Sequence, residues 1–306
     1  MVRLSAIIPI YNEERNIREL YRRLKPVLRS ISKNHEIIFI DDGSVDDTLA
    51  NLKNVRKKDK KIKIISMSRN FGHMPAINAG LTLARGDKII IMDGDLQDPP
   101  EVIPKMYTEA IKGFDVVYGI KKDRKENFVM RFLFSLFYRL LNKVSSYKMP
   151  FDTGTFSIID KNVAKILVDI PEKNKYFSGL RAWAGFKQRG IIYKRGARFS
   201  GKPATIKRLV KLALDGIISF SYLPLKLASF MGFITATTAF AFIVIVIFLR
   251  IFFGFGLIGW ASTLSAILLL GGIQLITLGI IGEYLARIYD QSKGRPEYII
   301  SEKIGF

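Results

Sequence analysis

The sequence predicts an α/β fold: a mostly parallel sheet, followed by interfacial amphipathic helices and a two-helix transmembrane hairpin. Three observations carry this prediction. Short apolar runs alternate with helical patterns over residues 4–119, the rhythm of βαβ units whose sheet is covered on both faces. Basic stretches carrying apolar stripes come next. Towards the C-terminus lie two uncharged runs, each reaching the roughly 20 residues that cross a bilayer as a helix.

Leu4–Ile10, LSAIIPI, reads as a buried strand closed by Pro9. After the loop YNEE, the segment from Asn16 to Ser30 places Ile17, Leu20, Leu24 and Leu28 on one helical face. His35 to Ile40 is the next strand and ends on Asp41-Asp42-Gly43-Ser44, with Ser44 and Asp46 as caps for the helix that follows. A third strand (61–67), a third helix (75–84), a fourth strand (87–95), a fourth helix (100–112) and a fifth strand (114–119) continue the alternation. In such sheets a ligand sits at the carboxyl ends of the strands. Tyr11-Asn12-Glu13, Asp41-Asp42, Ser68-Arg69-Asn70 and Asp93-Gly94-Asp95 all fall there. His35 and His73 read as polar surface or loop residues.

Residues 127–147 carry Phe128, Phe132, Leu136, Leu140 and Val144 on one stripe, and 121–148 hold eight Lys/Arg against Asp123 and Glu126. That is the pattern of a helix lying in a membrane interface. A second basic stretch, 187–211, has nine Lys/Arg and no acid. It leads into LALDGIISFSYLPLKLASF, a further interfacial helix bent near Pro224. The uncharged runs are Phe230–Leu249 and Ala261–Gly282, and neither stands where a signal peptide would. A short loop joins them, with Trp260 suited to an interface, so both flanks of the hairpin lie on one side. Lys and Arg crowd those flanks. By the positive-inside rule, residues 1–229 and the tail are expected in the cytosol, at a prokaryotic plasma membrane or the endoplasmic reticulum. The expected division is a core (1–126), a juxtamembrane segment (127–229), the hairpin (230–283, spans of about 230–250 and 261–282) and a tail (284–306).

Composition narrows the chemistry. Forty-eight Lys+Arg against 27 Asp+Glu give a net charge of +21 over 306 residues, which calls for anionic partners. Because the basic residues neighbour membrane segments, phosphorylated substrates and lipid head groups fit, and nucleic acid is not an expected partner. With 49% hydrophobic and 25% charged residues, the chain is no disordered tract. The absence of cysteine excludes a disulfide scaffold, a thiolate zinc site and a cysteine nucleophile. No P-loop, no G-x-G-x-x-G after the first strand and no G-x-S-x-G elbow occurs.

Asp93 and Asp95, at i and i+2 after an apolar strand, can both reach a hard divalent cation, with Gln97 able to add an amide oxygen. Gly94 leaves room for a ligand to approach the backbone. With Asp41-Asp42 after the second strand and a basic rim, the pattern suits a nucleoside diphosphate and its metal. Carboxylates would take the metal and the ribose or base, and Lys/Arg the phosphates.

LSAIIPIYNEERNI, FIDDGSVDDT, SRNFGHMPAINAGL and IMDGDLQDPPE resemble the successive motifs of family 2 inverting glycosyltransferases, which have the Rossmann-like GT-A fold. The SRNFG and DGDLQDPPE blocks, DTGTF, ALDGIISFS and the hairpin resemble one subgroup, the polyprenyl-phosphate glycosyltransferases. Dolichol-phosphate mannose synthases and bacterial undecaprenyl-phosphate glucosyltransferases belong to it. The resemblance implies transfer of one sugar from a UDP- or GDP-hexose to a polyprenyl (undecaprenyl or dolichyl) phosphate. It implies Mg2+ or Mn2+ held by Asp93, Asp95 and Gln97. It implies a nucleotide framed by Pro9, Tyr11, Glu13 and Asp41 with Asp42 nearby, and Lys121 facing the phosphates where the family usually has Arg. Arg131, Ser135 and Arg198 would receive the lipid phosphate, so that Asp93, Asp95, Arg131 and Arg198 serve catalysis.

Three departures from the family pattern matter. Thr155 stands where glucosyltransferase-type relatives commonly have an Asp proposed as base, and Asp152 is the nearest carboxylate. Ser157 replaces an Arg, and Pro203-Ala204 replaces a Ser/Thr-Lys pair, with Lys202, Lys207 and Arg208 as stand-ins. An alcohol acceptor must lose a proton as it attacks, and a general base is worth about 10²–10⁴ there. A phosphate monoester, with a second pKa of about 6, is already largely dianionic at neutral pH. Thr155 is therefore tolerable with a lipid phosphate acceptor and unfavourable with a sugar hydroxyl. Two other readings stay open. One is a polysaccharide synthase, whose Q-x-x-R-W motif is approached only by Arg181-Ala182-Trp183. The other is a non-catalytic membrane subunit that holds lipid phosphate. A homo-oligomer is compatible with a single-hairpin anchor.

Overall fold

The computed structural model describes residues 3–122, 153–172, 175–196, 223–253 and 259–306. It divides into two compact units, residues 1–209 with 295–306, and residues 210–294.

In the first unit, β1 (Leu4–Ile10), β2 (His35–Asp41) and β3 (Ile62–Met67) are buried along their whole length. Their near-continuous Ile content is what strands covered on both faces need. Helix α1 (Ile17–Ile31) buries the anticipated stripe, Ile17, Leu20, Leu24 and Leu28, completely. The N-cap residue of α2 (Thr48–Lys58) is Asp47 and not Asp46, although Asp46 Oδ1 accepts the Thr48 N–H at 3.0 Å. The Ser44 hydroxyl instead accepts the Asn12 N–H (3.0 Å), tying the turn after β1 to the turn after β2. α3 (His73–Leu83) starts two residues earlier than its pattern suggests, because Gly72, at φ 104°, ends the extended segment there. β4 (Lys88–Ile91) is short, and α4 (Ile103–Ile111) follows a single 3-10 turn. β5 (Val116–Lys122) runs three residues beyond the sequence expectation and carries Lys121 with it.

Five elements were not anticipated: β6 (Thr153–Asp160), α5 (Lys161–Asp169), α6 (Phe177–Trp183), β7 (Gln188–Lys194) and β8 (Ile300–Ile304). The sheet order is β7-β5-β6-β4-β1-β2-β3-β8. β1/β2, β1/β4, β2/β3 and β5/β7 are parallel, while β6 and β8 run antiparallel to their neighbours. Packing against the sheet is close: a Cβ on Gly80 of α3 would lie 2.5 Å from Ile7 Cγ2, so only glycine lets this helix sit so near β1. His35 is buried in β2, with Nδ1 2.7 Å from the Ser32 carbonyl, and is no surface residue.

Pro9 sits inside the central strand β1, paired with Ile40 of β2. Ile7 accepts the Met92 N–H, so Ile7 and Pro9 turn their backbone groups towards β4. β4 ends opposite Ile7, so the missing N–H of Pro9 faces a side with no strand to satisfy.

In the second unit, α7 (Leu223–Phe253) and α8 (Trp260–Ser292) each contain a window long and apolar enough to cross a membrane: Leu225–Leu249 and Ser265–Ser292, with mean hydropathies of 2.5 and 2.0. Large apolar side chains such as Phe233, Phe240 and Leu275 face outward from them, which suits lipid and not water. Pro224 is the second residue of α7, where its missing N–H falls among the unpaired donors of the first turn; the residues that would bend against it, up to 222, lie outside the described residues. The proposed interfacial helix at 127–147, and the second from 197 to 222, lie outside the described residues. The described start of the latter basic stretch, up to Lys194, is strand β7.

Candidate active site

β2 and β3 extend from one side of β1, whereas β4 lies on its other side. The order of the sheet therefore reverses between β1 and β4, the place where open α/β sheets bind ligands beyond the carboxyl ends of their strands. β4 stops at Ile91, and residues 92–94 cross the end of β1. Gly94 makes that crossing possible: a Cβ there would lie 3.0 Å from Ile10 Cγ1 and 3.3 Å from the Pro9 carbonyl. The space it leaves is filled by β1. Leu96 then adopts a left-handed φ of 60°, and the Gln97 N–H donates to Asp95 Oδ1 at 3.1 Å.

Asp93 is held by two donors on one oxygen. Thr155 Oγ1 of β6 donates to Asp93 Oδ1 at 3.0 Å, and His73 Nε2, at the start of α3, lies 3.2 Å from the same atom. Burial favours the neutral acid, but the His73 hydrogen bond and charge, the Thr155 hydroxyl and the nearby Lys121 charge outweigh it and hold the carboxyl at about 2. His73 is shifted up: burial disfavours its charge, and Asp93, then Asp42 and Asp95, more than compensate. The His73 and Asp93 side chains remain 44% and 28% exposed, so a ligand can still reach the pair. His73 is thus neither an idle loop residue nor a plain surface one. Its signal in the sequence was only its position, three residues after the Ser68-Arg69-Asn70 cluster that follows β3.

Beside it opens a cavity of about 580 Å³ lined by Pro9, Tyr11, Asp42, Asn70, Gly72 and His73, among others. Asp42 forms one wall by accepting the Phe71 and Gly72 N–H groups at 2.8 and 2.9 Å. Burial raises its pKa against those bonds. Gly43, at φ 69°, allows the two turns to meet, because a Cβ there would lie 2.4 Å from the Arg69 carbonyl carbon. Pro9, Tyr11 and Asp42 therefore come together around one cavity. Asp41 and Glu13 are not among its lining residues. Asp41 accepts the Ser44 N–H (3.1 Å) and lies 3.4 Å from the Ser66 hydroxyl, while the Glu13 carboxylate meets the Asn16 amide. Lys121, at the end of β5, brings Nζ to within 3.0 Å of where a Cβ on Gly154 would be, and its charge acts on Asp93 and Asp98 alike. Arg131, Ser135 and Arg198 lie outside the described residues, as do Asp152, Lys202, Pro203, Ala204, Lys207 and Arg208.

Among the described residues no group of three or more His, Asp or Glu side chains gathers as a protein-only metal cage. Two carboxylates beside a cavity fit a different kind of ion, one that keeps water and takes phosphate oxygens from its substrate. Asp93 is ionised throughout the physiological range and its Oδ2 is not used by His73 or Thr155, which is the donor such an ion requires. Thr155→Ala is expected to cost no more than about tenfold in kcat, the worth of one ordinary hydrogen bond, since His73 still holds the same oxygen. Steady-state kinetics check this; a loss beyond about 10³ would give Thr155 a chemical role.

A sequence profile described as Glycosyl transferase family 2 matches residues 5–167. The chain is 42% identical to "Uncharacterized glycosyltransferase YkcC" of Bacillus subtilis (strain 168), over 99% of this chain and 95% of that protein. It is 36% identical to "Bactoprenol glucosyl transferase" of Shigella phage SfV, over 99% of each. Among solved structures it is similar to glucosyl-3-phosphoglycerate synthase from Mycobacterium tuberculosis in complex with Mn2+, uridine diphosphate and glucosyl-3-phosphoglycerate. That likeness covers 71% of this chain and 78% of the other, at a TM-score of 0.50 and 16% identity. It speaks for the fold alone, and the fold is the GT-A one anticipated.

Proposed function

This chain belongs to glycosyl transferase family 2, and we propose that it is a membrane-bound, inverting glycosyltransferase that moves one hexose from a UDP-sugar to a polyprenyl phosphate at the cytosolic face. One observation carries the reading. The ionised Asp93, with Asp95 two residues on, stands beside a nucleotide-sized cavity at the reversal point of the sheet. Around that point β5 ends at Lys122, β6 begins at Thr153 and β7 ends at Lys194, all at the same end of the sheet as Asp93. The described ends from which both basic segments continue therefore lie at the strand ends that carry Asp93, which supports an acceptor side there. The bactoprenol glucosyl transferase names of full-length relatives support a polyprenyl phosphate acceptor.

In this reading Pro9, Tyr11 and His73 hold the nucleoside, and Lys121 faces the diphosphate. Asp93, Asp95 and Gln97 would hold Mg2+ or Mn2+, which supplies positive charge for the diphosphate that leaves. The lipid phosphate oxygen attacks the anomeric carbon; the bond to it forms as the bond to the nucleoside diphosphate breaks, turning an α-linked donor into a β-linked lipid phosphosugar. No proton has to move, which is why Thr155 can replace a base. Arg131 and Arg198 offset the repulsion between the two anions. Residues 295–306 fold with the first unit, so the tail that follows the second apolar helix belongs to the same compact unit as the core. With the basic excess of the helix flanks, this supports a cytosolic core and tail.

Arg131→Ala is expected to raise the KM for lipid phosphate about 10–100-fold, the worth of a charge-assisted bond, and to leave the donor KM nearly unchanged. The reverse order, measured by varying each substrate in turn, removes Arg131 from the acceptor site. The reading as a whole is tested by incubating membranes with radiolabelled UDP-glucose, UDP-GlcNAc or GDP-mannose and extracting into organic solvent. Label from a UDP-sugar is expected in the extract; label from none of the three defeats it.

A further inference from the structure

The loop Asp93–Asp98 and the end of β7 meet at a buried polar junction. Asp98 is 1% exposed, and its Oδ1 accepts the hydroxyl of Tyr193 on β7. The Tyr193 ring stands edge-on to Phe156, with centroids 5.5 Å apart. Gly119 of β5 gives it room, since a Cβ there would lie 2.6 Å from Tyr193 Cε1. Two residues further on, Arg195 Nε lies 3.8 Å from the same carboxylate oxygen, and the Gly196 N–H donates to the Gln97 carbonyl at 2.9 Å. The chain then enters the basic segment that contains Arg198.

Packing alone does not call for these residue types. A hydroxyl and a carboxylate removed from water lose in hydration what their mutual bond returns, and an apolar pair of similar volume would hold the strand end as well. What a buried, directional bond adds is a single register between the pieces it joins. The pieces here are the loop with Asp93, Asp95 and Gln97 on one side and the root of the acceptor-side segment on the other.

We propose that Tyr193 and Asp98 are positioning residues that lock the loop of metal-binding carboxylates to the start of the acceptor-side segment. The departing diphosphate and the attacking phosphate are thereby held at one spacing. The inference rests on the function proposed above. Neither residue touches substrate; both act through Gln97 and the backbone of 96–98.

Tyr193→Phe in the full-length protein in lipid nanodiscs keeps the ring and its contact with Phe156 and removes one O–H. Both kcat and the affinity for Mn2+ without nucleotide, read by electron paramagnetic resonance, are expected to fall about tenfold or more. Affinity for uridine, whose cavity is built by other residues, is expected to stay unchanged. Asp98→Asn retains an oxygen that accepts the hydroxyl and should stay within about threefold of the parent in both measurements, whereas Asp98→Ala should behave like Tyr193→Phe. A Tyr193→Phe protein that melts earlier yet keeps kcat and Mn2+ affinity within about twofold overturns the proposal and leaves the pair a packing role. If Tyr193→Phe does not fold, equal losses in Asp98→Asn and Asp98→Ala overturn it, and a loss confined to Asp98→Ala supports it. A parent protein that transfers nothing to lipid phosphate defeats the proposed function instead, and the Mn2+ measurement then judges the junction by itself.

Discussion

Asp95→Asn is expected to lower sugar transfer by about 10³-fold or more, equivalent to about 4 kcal/mol of lost transition-state stabilisation, and to leave the protein folded and inserted. The amide keeps the shape of the side chain and an oxygen for the Gln97 N–H, so the loop stays in place. What disappears is one of the two carboxylates proposed to hold the ion, and with it charge that would favour departure of the diphosphate. Transfer assays with Mg2+ or Mn2+ check the first half, and circular dichroism with detergent extraction from membranes the second. A fully active Asp95→Asn protein would remove the carboxylates from the chemistry.

Lys121→Ala is expected to cost about 10²–10³ in kcat/KM, the measured scale for one preorganised donor that faces developing negative charge. Lys121 reaches the site from the end of β5, and its charge is felt at Asp93. Its proposed task is to meet the phosphates beside the carboxylates. Lys121→Arg keeps the charge and offers more donors, so it should recover most of the activity lost in the alanine protein. If instead arginine is as poor as alanine, Lys121 serves by shape and not by charge. If both are as active as the parent, it does not face the diphosphate.

Much of the fold was legible because its signals are local. The Ile-rich runs of β1, β2 and β3 and the stripe Ile17, Leu20, Leu24 and Leu28 announce themselves within a few residues. β8 could not be read that way. Its sequence ISEKI has an apolar residue only at each end, and it is a strand because β3, more than 200 residues away, offers an open edge. β6 is similar: TGTFSIID becomes a strand by filling the gap between β4 and β5.

The candidate site divides along the same line. Asp93 and Asp95 were visible from spacing, Tyr11 and Asp42 from their place at strand ends, and Pro9 from the family resemblance. His73 was not, because a lone histidine has no periodicity, and its meaning arises only when α3 begins at residue 73 beside the end of β4. Gly94 was correctly marked as a place of close approach, and Ile10 and the Pro9 carbonyl occupy the space its missing Cβ leaves. Thr155 looked like a missing base, whereas its hydroxyl is spent on Asp93.

That last point leads to the most direct measurement. Purified full-length protein is given labelled UDP-glucose and Mg2+ with either a polyprenyl phosphate or the matching polyprenol. A site that aligns two phosphates, with Thr155 where a base would stand, should move label into the organic phase with the phosphate, as an acid-labile product, and move none with the alcohol. Equal transfer to the alcohol, or label released only as free glucose, would contradict it.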